Sequence, residues 1–94
     1  MKLNDDQLTE IERLSGLFMK PGDISTIIGI SKSEFGEMLK EQGSPAYQAY
    51  YRGKLLSEAE VRKSIITMAK QGSSPAQTLA NKLLEDMNID ELDV

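Results

Sequence analysis

Glycine and proline residues divide this sequence into segments, and each segment begins beside a side chain suited to cap a helix. Asn4 with Gln7 and Ser31 with Glu34 match the capping-box pattern, in which two side chains three residues apart satisfy free backbone amides. Apolar residues then recur at spacings of three and four, as in an amphipathic helix. These signals predict five helices, at residues 5–19, 21–28, 32–42, about 45–71, and from just after Ser73 to about Met87.

One segment is also compatible with a strand. Residues 24–28 are rich in β-branched side chains, which favour strands. We prefer a helix, because a lone strand would leave its backbone groups unpaired. Pro21 and Gly29 also suit the start and the end of a helix. The predicted fold class is therefore all-α.

The short second helix, the turn at Gly29 and the third helix have the spacing of a helix-turn-helix. We expect Ile24, Ile27 and Ile28 to form the buried face of the second helix. Phe35 is expected on the buried face of the third helix. Since 94 residues support one core, we expect one compact domain overall. Its expected regions are an N-terminal helix-turn-helix tri-helical unit in residues 1–43, a long helix that forms an antiparallel helical hairpin in residues 44–87, and an acidic tail in residues 88–94.

Cysteine and histidine are both absent. This excludes disulfides, thiol nucleophiles, Cys/His zinc sites and histidine acid–base catalysis. The sequence also lacks a glycine-rich phosphate loop, and Glu91 stands where a calcium loop starting at Asp86 would need its turn glycine. We therefore expect a cytoplasmic protein that is not an enzyme, takes no cofactor or metal and has no membrane partner.

The net charge of −4 is unevenly distributed along the chain. Residues 44–72 contain five basic and two acidic residues, whereas residues 73–94 contain one basic and five acidic residues. A basic segment is suited to the phosphates of DNA. A solvated helix face followed by a solvated tail is the alternative interpretation.

The outer face of the third helix carries small and polar residues, as a recognition helix does where it approaches bases and phosphates. The glutamates of this helix oppose DNA contact, and small helical units also bind proteins. Only a handful of cations per chain would contact the DNA backbone, so useful affinity would require several copies on one duplex. The candidate DNA-binding residues are Lys20, Ser31, Lys32, Ser33, Gly36, Glu37, Lys40, Arg52 and Lys54.

The long fourth helix carries two apolar stripes. Tyr47, Tyr51 and Leu55 belong to the stripe that we expect to pack on the rest of the chain. The other stripe is expected to contact another subunit, the alternative being one wide buried face inside a monomer. The candidate oligomerisation residues are Tyr50, Val61, Ile65, Met68, Leu79 and Leu83.

Three stretches of the sequence together indicate a family. They are the helix-turn-helix entry Lys-Pro-Gly-Asp-Ile at residues 20–24 with Gly-Ile-Ser at 29–31, the stretch from Ser-Pro-Ala-Tyr at 44–47 to Tyr-Arg-Gly-Lys at 51–54, and Ala-Lys-Gln-Gly-Ser-Ser-Pro-Ala-Gln at 69–77. They resemble the helix-turn-helix small subunits of phage terminases, and the third stretch is similar to the family's turn between two oligomerisation helices. Together the likeness covers about residues 20–84.

The resemblance implies a ring-forming adaptor that recognises double-stranded viral DNA and delivers it to a large ATPase-nuclease subunit for genome packaging. It implies that residues 31–40 contact DNA, that the hairpin builds the ring, and that the C-terminal segment meets the large terminase subunit. The location would then be the bacterial host cytoplasm. The alternatives are a dimeric helix-turn-helix transcription regulator of a phage or mobile element, and a helical protein–protein interaction adaptor without nucleic-acid binding.

Overall fold

A computed structural model describes residues Lys2 to Asp93, and the described chain is all-helical, which confirms the predicted fold class. The helices are α1 (Asp5–Ser15), α2 (Pro21–Ile28), α3 (Lys32–Lys40), α4 (Pro45–Lys70) and α5 (Ser74–Asp93). The bounds of α2 and α4 lie within one residue of the prediction. The other helices differ at their C-terminal ends.

The start of α1 has the complete capping box that we expected, and the start of α3 has one of its two hydrogen bonds. The Asn4 side chain accepts a hydrogen bond from the Gln7 amide at 2.7 Å, and the Gln7 side chain accepts one from the Asn4 amide at 3.0 Å. The Ser31 hydroxyl accepts a hydrogen bond from the Glu34 amide at 3.0 Å. At the end of α2, Gly29 adopts a left-handed φ of 82° that L side chains rarely adopt. Local cap chemistry therefore determines where these helices begin and where α2 ends.

The first helix ends four residues earlier than predicted. Its last turn is followed by Gly16 and Leu17, and Phe18 takes a left-handed φ of 62°. Phe18 is 52% exposed, although it lies within the predicted first helix at helical spacing from Leu14, where an apolar residue is expected to be buried. The turn instead brings Met19 against the core, with the Met19 amide bonded to the Leu14 carbonyl at 3.3 Å.

The chain forms two compact units, residues 1–58 and 59–94, and the division falls inside α4. The three expected regions within one domain stay a prediction. Residues 88–93, expected as an acidic tail, continue α5, since no proline or glycine follows Pro75 to end the helix. Met1 and Val94, at the ends of the expected regions, lie outside the described residues.

The core of the first unit joins α1, α2, α3 and the start of α4. Ser15 and Ser25 are buried beside it, and their hydroxyls donate to the carbonyls of Glu12 at 3.1 Å and Gly22 at 2.7 Å. Ile27, expected in the core, is exposed on α2 because Ile24, Ser25 and Ile28 form the inner face. The buried apolar side chains are Ile11, Leu14, Ile24, Ile30, Phe35 and Ala46.

Small residues carry the packing of α4 in the first unit. Ala46 and Gly53 are buried, and Ala49 and Tyr50 lie partly buried between them. A Cβ atom at Gly53 would overlap the carbonyl of Glu12 and the hydroxyl of Ser15. The backbones of α4 and α1 therefore approach so closely that only glycine fits at their contact.

The second unit contains the end of α4 and all of α5. At the intervening turn the Ser73 amide bonds to the Met68 carbonyl at 3.1 Å, and the Gln77 side chain donates to the Ala69 carbonyl at 3.1 Å. Arg62 of α4 lines the same groove as Met87 of α5, so α5 folds back along α4. Among residues 59–93, Ala76 is the one buried residue. A helix pair without a substantial buried core is poorly stabilised on its own.

Candidate nucleic-acid interface

The sides of α3 differ sharply in chemistry. Phe35 is buried and Met38 and Leu39 pack against the core, which leaves the opposite side of the helix to solvent. Lys32, Gly36 and Lys40 repeat every four residues and so form one stripe along the exposed helix. Nothing lies within 4 Å of the position that a Cβ would occupy at Gly36. We call Lys32, Gly36 and Lys40 the basic stripe.

An acidic side of α3 adjoins the basic stripe. Glu34, Glu37 and Glu41 line a shallow surface depression together with Ser33 and Met38. Glu37, which we expected among the DNA-binding residues, forms an ion pair with Lys40 at 3.1 Å between Nζ and Oε1. Both side chains of the pair are more than two-thirds exposed, so water competes with the bond and Lys40 remains available to another anion.

The start of α2 lies beside Lys32. The stem of Lys32 runs past Gly22, with Cε 3.4 Å and Nζ 3.8 Å from the position of a Gly22 Cβ. Lys20 is exposed at the N-cap of α2, where the helix dipole is positive. Lys20 and Lys32 therefore add positive charge to the same corner of the unit. The Ser31 hydroxyl is engaged in capping α3, and Ser33 is exposed beside it.

Arg52 and Lys54 have contacts on other elements. Arg52 Nε lies 2.9 Å from Glu12 Oε1, and Lys54 Nζ lies 5.8 Å from the centre of the Tyr51 ring. These contacts tie both cations to α1 and α4, so they do not extend the basic stripe. The structure therefore groups Lys20, Lys32, Gly36 and Lys40 and leaves these two candidates elsewhere on the unit.

A further exposed ion pair lies on α1. Arg13 Nε donates to Glu10 Oε1 at 2.8 Å, and this hydrogen bond lowers the pKa of the Glu10 carboxyl. Both residues of this ion pair are on the surface of α1, and the pair is not part of the candidate site. Among residues 2–93, no cluster of three or more acidic side chains is arranged to hold a metal ion.

One oligomerisation candidate lies against the core. Tyr50 packs partly buried against the core of the first unit, and its ring meets Phe35 edge-on with centroids 6.4 Å apart. The small residues of α4 turn this face inward, and a subunit contact of Tyr50 stays a prediction. The remaining candidates lie in the second unit, with Val61, Met68 and Leu79 exposed and Ile65 and Leu83 half-buried.

Two apolar surfaces were missed or misplaced by sequence reasoning. In the second unit an open groove is lined by Ile66, Leu84 and Met87 besides Leu83. In the first unit, Tyr47, Tyr51 and Leu55 line an open groove, although we expected their stripe to pack on the rest of the chain. The small residues at positions 46, 49 and 53 are the signal that would have identified the packed side of α4.

No family model matches the chain, and neither curated proteins nor solved structures give a significant match. Within Lys2–Asp93, none of the helices combines the length and the apolar character that crossing a membrane requires.

Proposed function

We propose that this protein is a non-enzymatic DNA-binding adaptor that works as a homo-oligomer. In this proposal α2, the Gly29 turn and α3 act as a helix-turn-helix, and the second unit joins subunits into a ring. The ring would recognise viral DNA and deliver it to a large ATPase-nuclease subunit, as the resemblance to small terminase subunits implies. The observation that carries the proposal is the exposed basic stripe of α3 beside the start of α2.

The basic stripe supports DNA binding because its geometry suits close approach to a duplex. Lys32 and Lys40 flank Gly36 along the stripe, and Gly36 adds no side chain between the helix and a ligand. Two lysines on one helix can neutralise phosphates while the helix lies in a groove. Glu34 and Glu41 lie on a different side of the helix and need not face the DNA.

The apolar residues of the second unit support self-association. Val61, Met68 and Leu79 are exposed in the single chain, as are Ile66 and Leu84. Burying an apolar side chain contributes about 1.5–3 kcal/mol, so covering this surface would stabilise a unit that has almost no core. A homo-oligomer provides such cover with identical surfaces in a fixed geometry.

The ion pairs favour a second candidate, a protein-binding adaptor without affinity for nucleic acid. Lys40 is paired with Glu37, and Arg52 is paired with Glu12, so part of the positive charge is already balanced within the chain. The two candidates differ in a measurable way, because DNA binding through phosphates weakens steeply with salt.

Duplex binding of a double charge reversal tests the proposal. Lys32→Glu with Lys40→Glu should abolish measurable binding at low ionic strength, since both changes put repulsive charge on the basic stripe. Lys32→Ala with Lys40→Ala should lower the slope of log affinity against log salt by about two. Fluorescence anisotropy of a labelled duplex over a salt series measures both effects.

The matched control is Lys2→Glu with Lys82→Glu, which changes the net charge equally at two exposed lysines outside α3. It should retain most of the binding. Equal loss in both charge reversals would show that only total charge matters and would contradict the assignment of α3. No salt-dependent binding by the unaltered protein would favour the protein-binding adaptor instead.

A further inference from the structure

The first half of α4 has an apolar side that the fold leaves open. Its packed side consists of Ala46, Ala49, Tyr50 and Gly53, whereas Leu55 lies on the other side of the helix, 57% exposed. This open surface, the α4 outer groove, is lined by Tyr47, Gln48, Tyr51, Arg52, Leu55 and Leu56.

The end of α5 also has an unpartnered apolar side. Leu83, Leu84 and Met87 line the groove that α5 shares with the end of α4. Ile89 and Leu92 are three residues apart, so they lie on one face, and they are 60% and 85% exposed. Neither residue lines that groove, because the helical period places them on another side of α5.

The charges of the two surfaces are complementary. Arg52 and Lys54 stand at the α4 outer groove, and the Arg52 guanidinium is mostly exposed despite its pair with Glu12. Residues 83–93 contain five acidic side chains and no basic one. The end of α5 is acidic and has two exposed apolar residues, and the groove is apolar with cations at its edge. The two surfaces therefore match in both charge and apolar character.

From this match we propose that the end of α5 of one copy docks into the α4 outer groove of a second copy. The inference rests on the homo-oligomer of the proposed function and specifies one of its contacts. Groove and helix end are different surfaces of one chain, so each copy can bind one neighbour through its helix end and another through its groove, in a head-to-tail contact. Head-to-tail contacts form a ring when the rotation closes, whereas two copies that exchange both contacts around a two-fold axis stop at a dimer.

Single cysteines test the contact cleanly because the chain contains none of its own. Leu55→Cys is made in one preparation and Leu92→Cys in a second, isotope-labelled preparation. The two are mixed, oxidised mildly and analysed by mass. The proposal predicts that mixed disulfide dimers predominate, since a disulfide requires the two Cα atoms to lie within about 7 Å.

Leu17→Cys paired with Leu92→Cys is the control. Leu17 is an exposed leucine of the first unit outside the groove, so it should give only background yield. Predominant Leu55→Cys homodimers would overturn the proposal in favour of an isologous α4 contact. Predominant Leu92→Cys homodimers, or mixed dimers no more abundant than in the control, would overturn it as well.

A charge series at position 55 gives a second measurement that does not depend on a disulfide. Leu55→Glu should weaken self-association at least tenfold because it repels the acidic helix end, whereas Leu55→Lys should weaken it less. Equal effects of both substitutions would contradict the docking.

Oligomerisation and duplex binding of the unaltered protein are measured alongside. If both persist without the mixed cross-link, the contact is wrong and the proposed function stands; if both are absent, the proposed function itself fails.

Discussion

Gly53 is the residue on which the contact between α4 and α1 depends. Its missing side chain leaves room for the Glu12 carbonyl and the Ser15 hydroxyl. Gly36 presents the opposite situation, since its Cβ position is surrounded by open space. The absence of a side chain therefore serves different purposes at these two helical glycines. At Gly53 it permits close helix packing, and at Gly36 it leaves the surface of α3 accessible.

Alanine substitutions at these glycines should change stability in opposite directions. Gly53→Ala should lower the free energy of unfolding by about 3 kcal/mol or more, because a backbone contact must open. Gly36→Ala should raise it by up to about 1 kcal/mol through helix propensity. Urea unfolding followed by circular dichroism measures both. A neutral effect at position 53 would contradict the close packing of α4.

At the level of elements, the starts of helices were more predictable than several of their C-terminal ends or their packed faces. Caps such as Asn4 and Ser31 act through hydrogen bonds within a few residues, so the sequence contains the whole interaction. The face of α4 that packs was not predictable from its apolar stripes. The packed face depends on how closely α1 approaches α4. Small residues of α4 such as Gly53 allow that approach, and their partners on α1 are far away in the sequence. The basic stripe of α3 was predicted in part, but its separation from the acidic side required the helix bounds and the buried position of Phe35.

Ser44 links two elements and should matter more than an ordinary cap. Its hydroxyl donates to the Met38 carbonyl at 2.7 Å and accepts from the Tyr47 amide at 3.1 Å. Ser44→Ala should lower the free energy of unfolding by about 1–2 kcal/mol. Ser73→Ala is the comparison, with a longer bond of 3.4 Å to the Ala76 amide and a smaller expected loss. Thermal unfolding of both variants measures the two losses of stability. Equal losses would contradict the larger role of Ser44.

The second unit should govern assembly without governing the fold of the first. Val61→Glu with Leu79→Glu places charge on two exposed apolar positions, so it should lower the association constant tenfold or more while α1 to α3 remain folded. Sedimentation velocity over a concentration series measures the association. Leu17→Glu with Ile27→Glu alters two exposed apolar residues of the first unit as a control. Loss of assembly only in the control would show that the interface involves Leu17 or Ile27 rather than Val61 and Leu79, and would contradict this prediction.

At the scale of the whole molecule, charge and assembly depend on each other. The net charge of −4 opposes DNA binding by a single chain, and the basic stripe supplies only two lysines. Several copies on one duplex would combine these weak contacts, because each further contact becomes intramolecular. The proposed function therefore requires DNA binding and self-association together, and we propose that the acidic residues of α5 lie at subunit contacts rather than at the DNA.

Native mass at micromolar concentration, with and without a short duplex, tests this requirement most directly. The account predicts a closed homo-oligomer of several subunits that gains the mass of the duplex at low ionic strength and loses it as salt is raised. A dimer that binds duplex would favour a transcription regulator. A monomer whose mass is unchanged by the duplex would contradict the account.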